Sequence, residues 1–201
     1  MTKIPVGILG ATGAVGQRFI QLLEDHPWFE VVWVAASQRS AKLSYAEAAK
    51  WKMNTPIPAR IGKMIVSKAD PRSAPKLIFA ALDADIAKEL EPRFANTGHA
   101  VITNSSAFRM DADVPLVVPE VNADHLALIE GQSSRKKSRG FIVTNPNCSA
   151  IGLVMALAPL AKFGIDKVMA VTMQAISGAG YPGVPSWDIL GNVVPYIAKE
   201  E

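Results

Sequence analysis

The chain has 201 residues, 49% of them hydrophobic and 19% charged, with a formal net charge of +3. That balance supports a buried core and excludes a disordered polymer, and no run of about 18 apolar residues offers a membrane-spanning helix. A single cysteine, Cys148, excludes an intramolecular disulfide and a cysteine-rich metal site, so no metal is expected.

Met1-Thr2-Lys3 leads straight into an apolar stretch too short for a secretory signal, which predicts a cytoplasmic protein. The stretch Pro5–Leu9 reads as a strand that enters Gly10-Ala11-Thr12-Gly13-Ala14-Val15-Gly16, and helical spacing follows over Gln17–Glu24. Strand, glycine loop and helix in this order form a phosphate cradle: glycines let the backbone approach a pyrophosphate, and the helix N-terminus faces the anion. The spacing is G-x-x-G-x-x-G rather than G-x-G-x-x-G, so the setting carries the assignment more than the pattern does. Candidate cofactor contacts are Gly10, Thr12, Gly13, Ala14 and Val15.

A second strand, Val31–Ala36, ends in Ser37-Gln38-Arg39-Ser40. An NAD site places an acid there for the ribose hydroxyls; here there is none, and Arg39 can pair with a 2′-phosphate while Ser37 and Ser40 donate hydrogen bonds. NADP is the expected cofactor, with an ordinary surface arginine as the alternative reading of Arg39. Further strands are predicted at Leu77–Ala81, Ala100–Thr103, Leu116–Val118 and Phe141–Thr144, with a helix over Ile86–Ala95. The alternation predicts an α/β fold, a Rossmann-like, doubly wound, mostly parallel sheet over residues 1–145. The cluster Arg135-Lys136-Lys137-Ser138-Arg139 reads as a solvated connection, not a nucleic-acid surface.

After Asn145-Pro146-Asn147 the pattern changes to a long helix candidate, Ser149–Phe163, a strand candidate, Lys167–Ile176, and the turn-rich Ser177–Gly183. Residues 146–201 read as the first part of an incomplete α+β catalytic and dimerisation domain, since one strand cannot close its own core. Cys148 opens the helix, a position that favours the nucleophilic thiolate in enzymes; a buried, inert thiol is the competing reading.

Several motifs in order carry a resemblance: Gly10–Gly16, Asn104-Ser105-Ser106-Ala107-Phe108-Arg109, Val114–Asn122 (VPLVVPEVN), Asn145–Ser149 (NPNCS) and Gln174–Gly183 (QAISGAGYPG). Together they resemble aspartate-semialdehyde dehydrogenases, and Ser186–Asn192 (SWDILGN) is closer to the archaeal and fungal branch. The resemblance implies NADPH-dependent reductive dephosphorylation of L-aspartyl 4-phosphate through a cysteine thioester, feeding lysine, threonine and methionine biosynthesis. It makes Cys148 the nucleophile and sets Gln174 near the sulfur. Arg109, Asn147 and Glu200 fall on substrate positions, Leu82 lies under the dinucleotide, and Ser177 and Gly178 belong to the nicotinamide turn. The chain departs from the pattern at Asp83, where proline is more usual, and at Lys42, where a glycine often follows Ser-Ala.

The family mechanism also uses a histidine well after the cysteine, and none follows Cys148. His26, His99 and His125 all precede it and read as structural or surface residues. The expectation is a C-terminally truncated member with impaired turnover. The alternatives are a non-catalytic NADP-binding chain that pairs with a longer subunit, and a Rossmann protein of unrelated chemistry in which Cys148 is buried. A small-molecule substrate, no nucleic acid, no membrane and, in the full-length family, a homo-oligomer complete the expected partners.

Overall fold

The structure, a computed structural model, describes residues 2–195 and residue 197. It falls into two compact units, Met1–Pro146 and Asn147–Glu201.

In the first unit, short β-branched runs alternate with helices. The order is β1 (Ile4–Leu9), α1 (Ala14–Leu23), β2 (Phe29–Ala35), single helical turns α2 (Tyr45–Ala48) and α3 (Ala59–Gly62), β3 (Leu77–Ala80), α4 (Ala84–Ala95), β4 (Ala100–Thr103), α5 (Pro119–Asn122), α6 (Ser133–Ser138) and β5 (Phe141–Thr144). The strands form one sheet in the order β2-β1-β3-β4-β5, and every pairing is parallel. Parallel strands bury both faces, which is why each reads as a nearly continuous apolar run. Alternation along β1 sends Val6 and Ile8 to one core, with Ile20 of α1, Val34, Tyr45 and Val66. Leu9 goes to the other, with Trp33, Ile78, Val101, Ile142 and Phe94 of α4. Helices therefore cover both faces, and the α/β doubly wound architecture holds.

The strand order places β2 and β3 on opposite sides of β1. Connections leaving the C-terminal ends of β1 and β3 diverge there, and the crevice between them is where open α/β sheets bind ligands.

The structure corrects two strand expectations. Leu116–Val118 is not a strand: Leu116 makes one isolated parallel bridge to Thr144. Pro115 and Pro119 bracket it, and neither has an N–H to extend a ladder. In the second unit, residues 167–175 form no strand among the described residues, because a strand exists only as a ladder with a neighbour. The long helix expected over Ser149–Phe163 is α7 (Cys148–Leu157) followed by a 3-10 segment, Ala158–Phe163. Pro159 removes the donor that would continue α7. A last helical turn, α8, spans Ser186–Ile189. No helix among the described residues is long and apolar enough to cross a membrane.

Candidate active site

The glycine loop is wound tightly against the switch point. The amides of Gly10 and Ala11 both donate to Ala35 O at the end of β2, each at 2.9 Å, and Ala81 N donates to Leu9 O at 2.8 Å. Gly10 has φ +85°, and a Cβ there would lie 2.3 Å from Ala81 O, with Leu82 Cδ2 at 3.2 Å. Leu82 and the β3 end thus floor the loop. Gly13 is the opposite case: it is exposed, it is the N-cap of α1 with no side chain bonded to the cap, and a Cβ there would meet only Gly10 O at 3.5 Å. An open face of main chain at the N-terminus of a ten-residue helix, with Ala14 and Val15 in its first turn, is a surface a pyrophosphate fits. Thr12, Ala14 and Val15 are all at least partly accessible on it.

Two residues outside the motif hold this loop. Gln17 is 2% exposed. Its Nε2 donates to Thr12 O (2.9 Å) and Lys50 O (3.1 Å), and its Oε1 accepts from Lys52 N (2.7 Å). Tyr45, fully buried, donates its hydroxyl to Ala11 O at 2.8 Å, and burial raises its phenol above the ordinary value. Their signal in the sequence was slight: Gln17 lies three residues before Ile20 on the buried face of α1.

Beyond β2 the chain turns, with Ser40 N donating to Ser37 O at 3.0 Å. Ser37 and Arg39 are exposed and Ser40 is half-buried. No acidic residue occurs between Ala36 and Ala46, so nothing in this loop opposes an added phosphate.

At the ends of β4 and β5, Arg109 donates through Nε to Asn145 O (3.0 Å) and through Nη2 to Asn104 O (3.1 Å). Asn145 Nδ2 also donates to Asn104 Oδ1. The guanidinium is thereby fixed beside two strand ends. Behind it, Ser105 N donates to Thr103 Oγ1 (3.0 Å), and that hydroxyl donates to Glu91 Oε1 (2.6 Å). Glu91 is completely buried, and burial pushes its carboxyl up to about 7 despite the opposing Thr103 hydrogen bond. Sequence reasoning singled out Arg109, named Asn104 and Asn145 only as the first residues of their motifs, and missed Thr103 and Glu91.

In the second unit, Asn147 is the N-cap of α7 and its Oδ1 accepts from Ser149 N (2.8 Å) and Ala150 N (3.4 Å). Cys148 follows it and is exposed, against the buried-thiol reading. Gln174 Nε2 donates to Ser149 Oγ at 3.0 Å, which brings Gln174 to the residue after the cysteine. Ser149 is a link the sequence did not disclose. Ser177 and Gly178 lie in the 3-10 turn Ile176–Ala179, closed by Gly178 N donating to Ala175 O (2.9 Å). Glu200 lies outside the described residues. Replacing Asn147 with alanine is expected to cost about 1 kcal/mol, the usual worth of an N-cap. Faster amide exchange at Ser149 and Ala150 would register it; unchanged exchange would remove the cap from the account.

The three histidines are engaged in the first unit. His26 Nδ1 accepts from Trp28 N and Phe29 N, each at 3.2 Å. His99 Nδ1 lies 3.0 Å from Phe94 O, and His125 Nδ1 lies 3.0 Å from Asn122 Nδ2.

Comparison with known proteins follows the same division. Residues 5–129 match the family model "Semialdehyde dehydrogenase, NAD binding domain", and residues 157–201 match "Semialdehyde dehydrogenase, dimerisation domain". The chain is 50% identical over 200 residues to an aspartate-semialdehyde dehydrogenase of Archaeoglobus fulgidus, covering 99% of this chain and 58% of that protein. It is 50% identical to the one from Schizosaccharomyces pombe, covering 98% of this chain and 56% of that protein. Among solved structures, the Candida albicans aspartate-semialdehyde dehydrogenase with NADP superposes with a TM-score of 0.85 at 41% identity, over 97% of this chain and 56% of that one. Aspartate-semialdehyde dehydrogenase II from Vibrio cholerae gives 0.71 at 32% identity, over 90% of this chain and 50% of that one. The chain thus spans a little over half the length of the curated relatives it matches.

Proposed function

Because the chain belongs to the semialdehyde dehydrogenase family, we propose that it supplies the dinucleotide cradle and the nucleophile for NADPH-dependent conversion of L-aspartyl 4-phosphate to L-aspartate 4-semialdehyde. The observation that carries the chemistry is the exposed Cys148 on the first turn of α7, with Asn147 capping that turn and Gln174 held on Ser149. The relatives' names support aspartate semialdehyde as the aldehyde, the acyl phosphate is what the motif resemblance implies, and the name of the Candida structure supports the phosphorylated cofactor.

Cys148 Sγ attacks the acyl carbon of the mixed anhydride; a C–S bond forms, the C–O bond to phosphate breaks, and inorganic phosphate leaves with the electron pair. When bound, NADPH supplies the hydride that takes this thioester to the oxidation level of the aldehyde. Breaking the C–S bond returns the sulfur as thiolate and frees the product. Arg109, fixed by the carbonyls of Asn104 and Asn145, is the cation for the substrate's anionic group. Asn147 and Gln174 orient the sulfur and the acyl group. The glycine loop holds the pyrophosphate, with Leu82 beneath it. Arg39, Ser37 and Ser40 take the 2′-phosphate, and Ser177 and Gly178 hold the nicotinamide end. Met169, Val171 and Met173 are more than nine-tenths exposed, which suits a homo-oligomer contact in the second unit. A cytoplasmic location suits a biosynthetic enzyme.

Titration calorimetry of the chain with NADPH and NADH tests the cofactor assignment without needing turnover. NADPH should bind, and Arg39→Ala should weaken it by at least about tenfold while leaving NADH unchanged, as expected for one charge-assisted contact to phosphate. Equal loss for both nucleotides, or binding of neither, overturns the assignment.

A further inference from the structure

Lys42 adopts a left-handed backbone conformation with φ +75°, a region in which a Cβ crowds the neighbouring carbonyl and glycine is the ordinary occupant. Among the described residues Arg139 is the other non-glycine residue there, and its reason is visible: it closes the C-terminus of α6, its N–H on Arg135 O. Lys42 ends no helix. Its N–H donates to Val66 O and Val66 N–H donates to Leu43 O, both at 2.9 Å, a geometry glycine would make without strain. What glycine would not supply is the ammonium group.

The fold puts that group at the end of β2. Val66 precedes Ser67, which pairs with Ala35, the last residue of β2. The Lys42 backbone therefore stands within roughly two strand spacings, about 10 Å, of the strand end, and an extended lysine covers most of that distance. Three residues further on, Tyr45 donates to Ala11 O of the glycine loop, so the segment that carries Lys42 runs from Arg39, just past the end of β2, to a residue anchored on the loop proposed to hold the pyrophosphate. Lys42 is exposed, as is Lys68 immediately after Ser67. The adenosine ribose is read at the end of the second strand of such folds.

We propose that Lys42, with Arg39, binds the 2′-phosphate and sets the preference for NADPH over NADH. This rests on the cofactor assignment above. Arg39 presents a planar fork and Lys42 a compact charge, so the two can engage different phosphate oxygens.

Calorimetry of the full chain with NADPH and with NADH tests it on two variants. Lys42→Gly removes the charge and relieves the backbone; Lys42→Met removes the charge and keeps side-chain length. Both should bind NADPH about tenfold more weakly and NADH within twofold of the unchanged chain, and only Lys42→Gly should raise the melting midpoint. If both variants bind NADPH unchanged while Arg39→Ala weakens it, the cofactor assignment stands and the role of Lys42 falls. A loss in Lys42→Gly alone, shared equally by NADPH and NADH, assigns the effect to the loop backbone and overturns the proposal. If the unchanged chain binds neither nucleotide, the cofactor assignment fails and Lys42 loses its ligand with it.

Discussion

Glu91→Gln is expected to flatten the pH dependence of stability between about pH 4.5 and 7, and at pH 8 to leave the variant more stable than the unchanged chain by up to about 3 kcal/mol. Glu91 has no exposed surface, and burial raises its carboxyl from 4.5 to about 7. Across that interval the folded chain keeps a proton that the unfolded chain releases, so stability falls as pH rises. The contribution is complete below pH 4.5, declines by about 1.4 kcal/mol per pH unit, and is gone once pH passes the folded value near 7. Two and a half units at that slope make about 3 kcal/mol. Glutamine is the fitting replacement because its Oε1 still accepts from Thr103 and it has no charge to bury. Glu91 Oε2 finds no partner among the described residues, so an amide nitrogen in its place breaks no existing bond. Thr103 then continues to receive Ser105 N–H, and the Asn104–Arg109 arm keeps its anchor. Denaturation curves of both proteins from pH 4.5 to 8 decide the matter: the difference between them should open as pH rises, and parallel curves would falsify the buried-acid account.

What was legible in the sequence was whatever rests on local pattern. The β1–loop–α1 unit announces itself because apolar run, glycine spacing and helical periodicity occur in immediate succession, and the NADP expectation rests on Arg39 standing where an acid would bind the ribose. The five strands of the sheet were read to within two residues because each carries a short, nearly continuous apolar run, as parallel strands under helices do. Leu116–Val118 and Lys167–Ile176 were misread because an apolar, β-branched run states a propensity and not a partner. The helical turns between Ser44 and Gly62 passed unread although Ser44 and Glu47 form a capping box, a signal four residues long with little apolar run behind it. Gln17 and Glu91 were missed for a different reason: each is a polar residue on the buried side of its helix, and only tertiary contacts explain why a polar group belongs there.

Gly16→Ala should destabilise the first unit by about 3 kcal/mol or more and abolish dinucleotide binding, whereas Gly13→Ala should spare stability and still weaken binding. A Cβ at Gly16 would lie 2.3 Å from Gly10 O, 2.8 Å from Ala11 Cα and 3.0 Å from Ala11 C, all of them main chain. None of these can swing aside as a side chain would. Gly10 and Ala11 are tied to Ala35 O, and Gly10 is backed by Ala81 O, so α1 must lift away from β1. Overpacking against a fixed wall costs about 1–3 kcal/mol and occasionally more, here with α1's core contact at Ile20 disturbed as well. Gly13 has φ −74°, which alanine adopts freely, and the nearest atom to its Cβ would be Gly10 O at 3.5 Å. Alanine there reduces the freedom of the unfolded chain, worth about 0.4–1 kcal/mol in favour of folding. Yet that methyl group would stand on the open face where a pyrophosphate must touch main chain. Chemical denaturation and NADPH calorimetry on the two variants therefore separate packing from cradle. If Gly13→Ala binds NADPH as the unchanged chain does, the pyrophosphate does not rest on this face, whatever Gly16→Ala does to the fold.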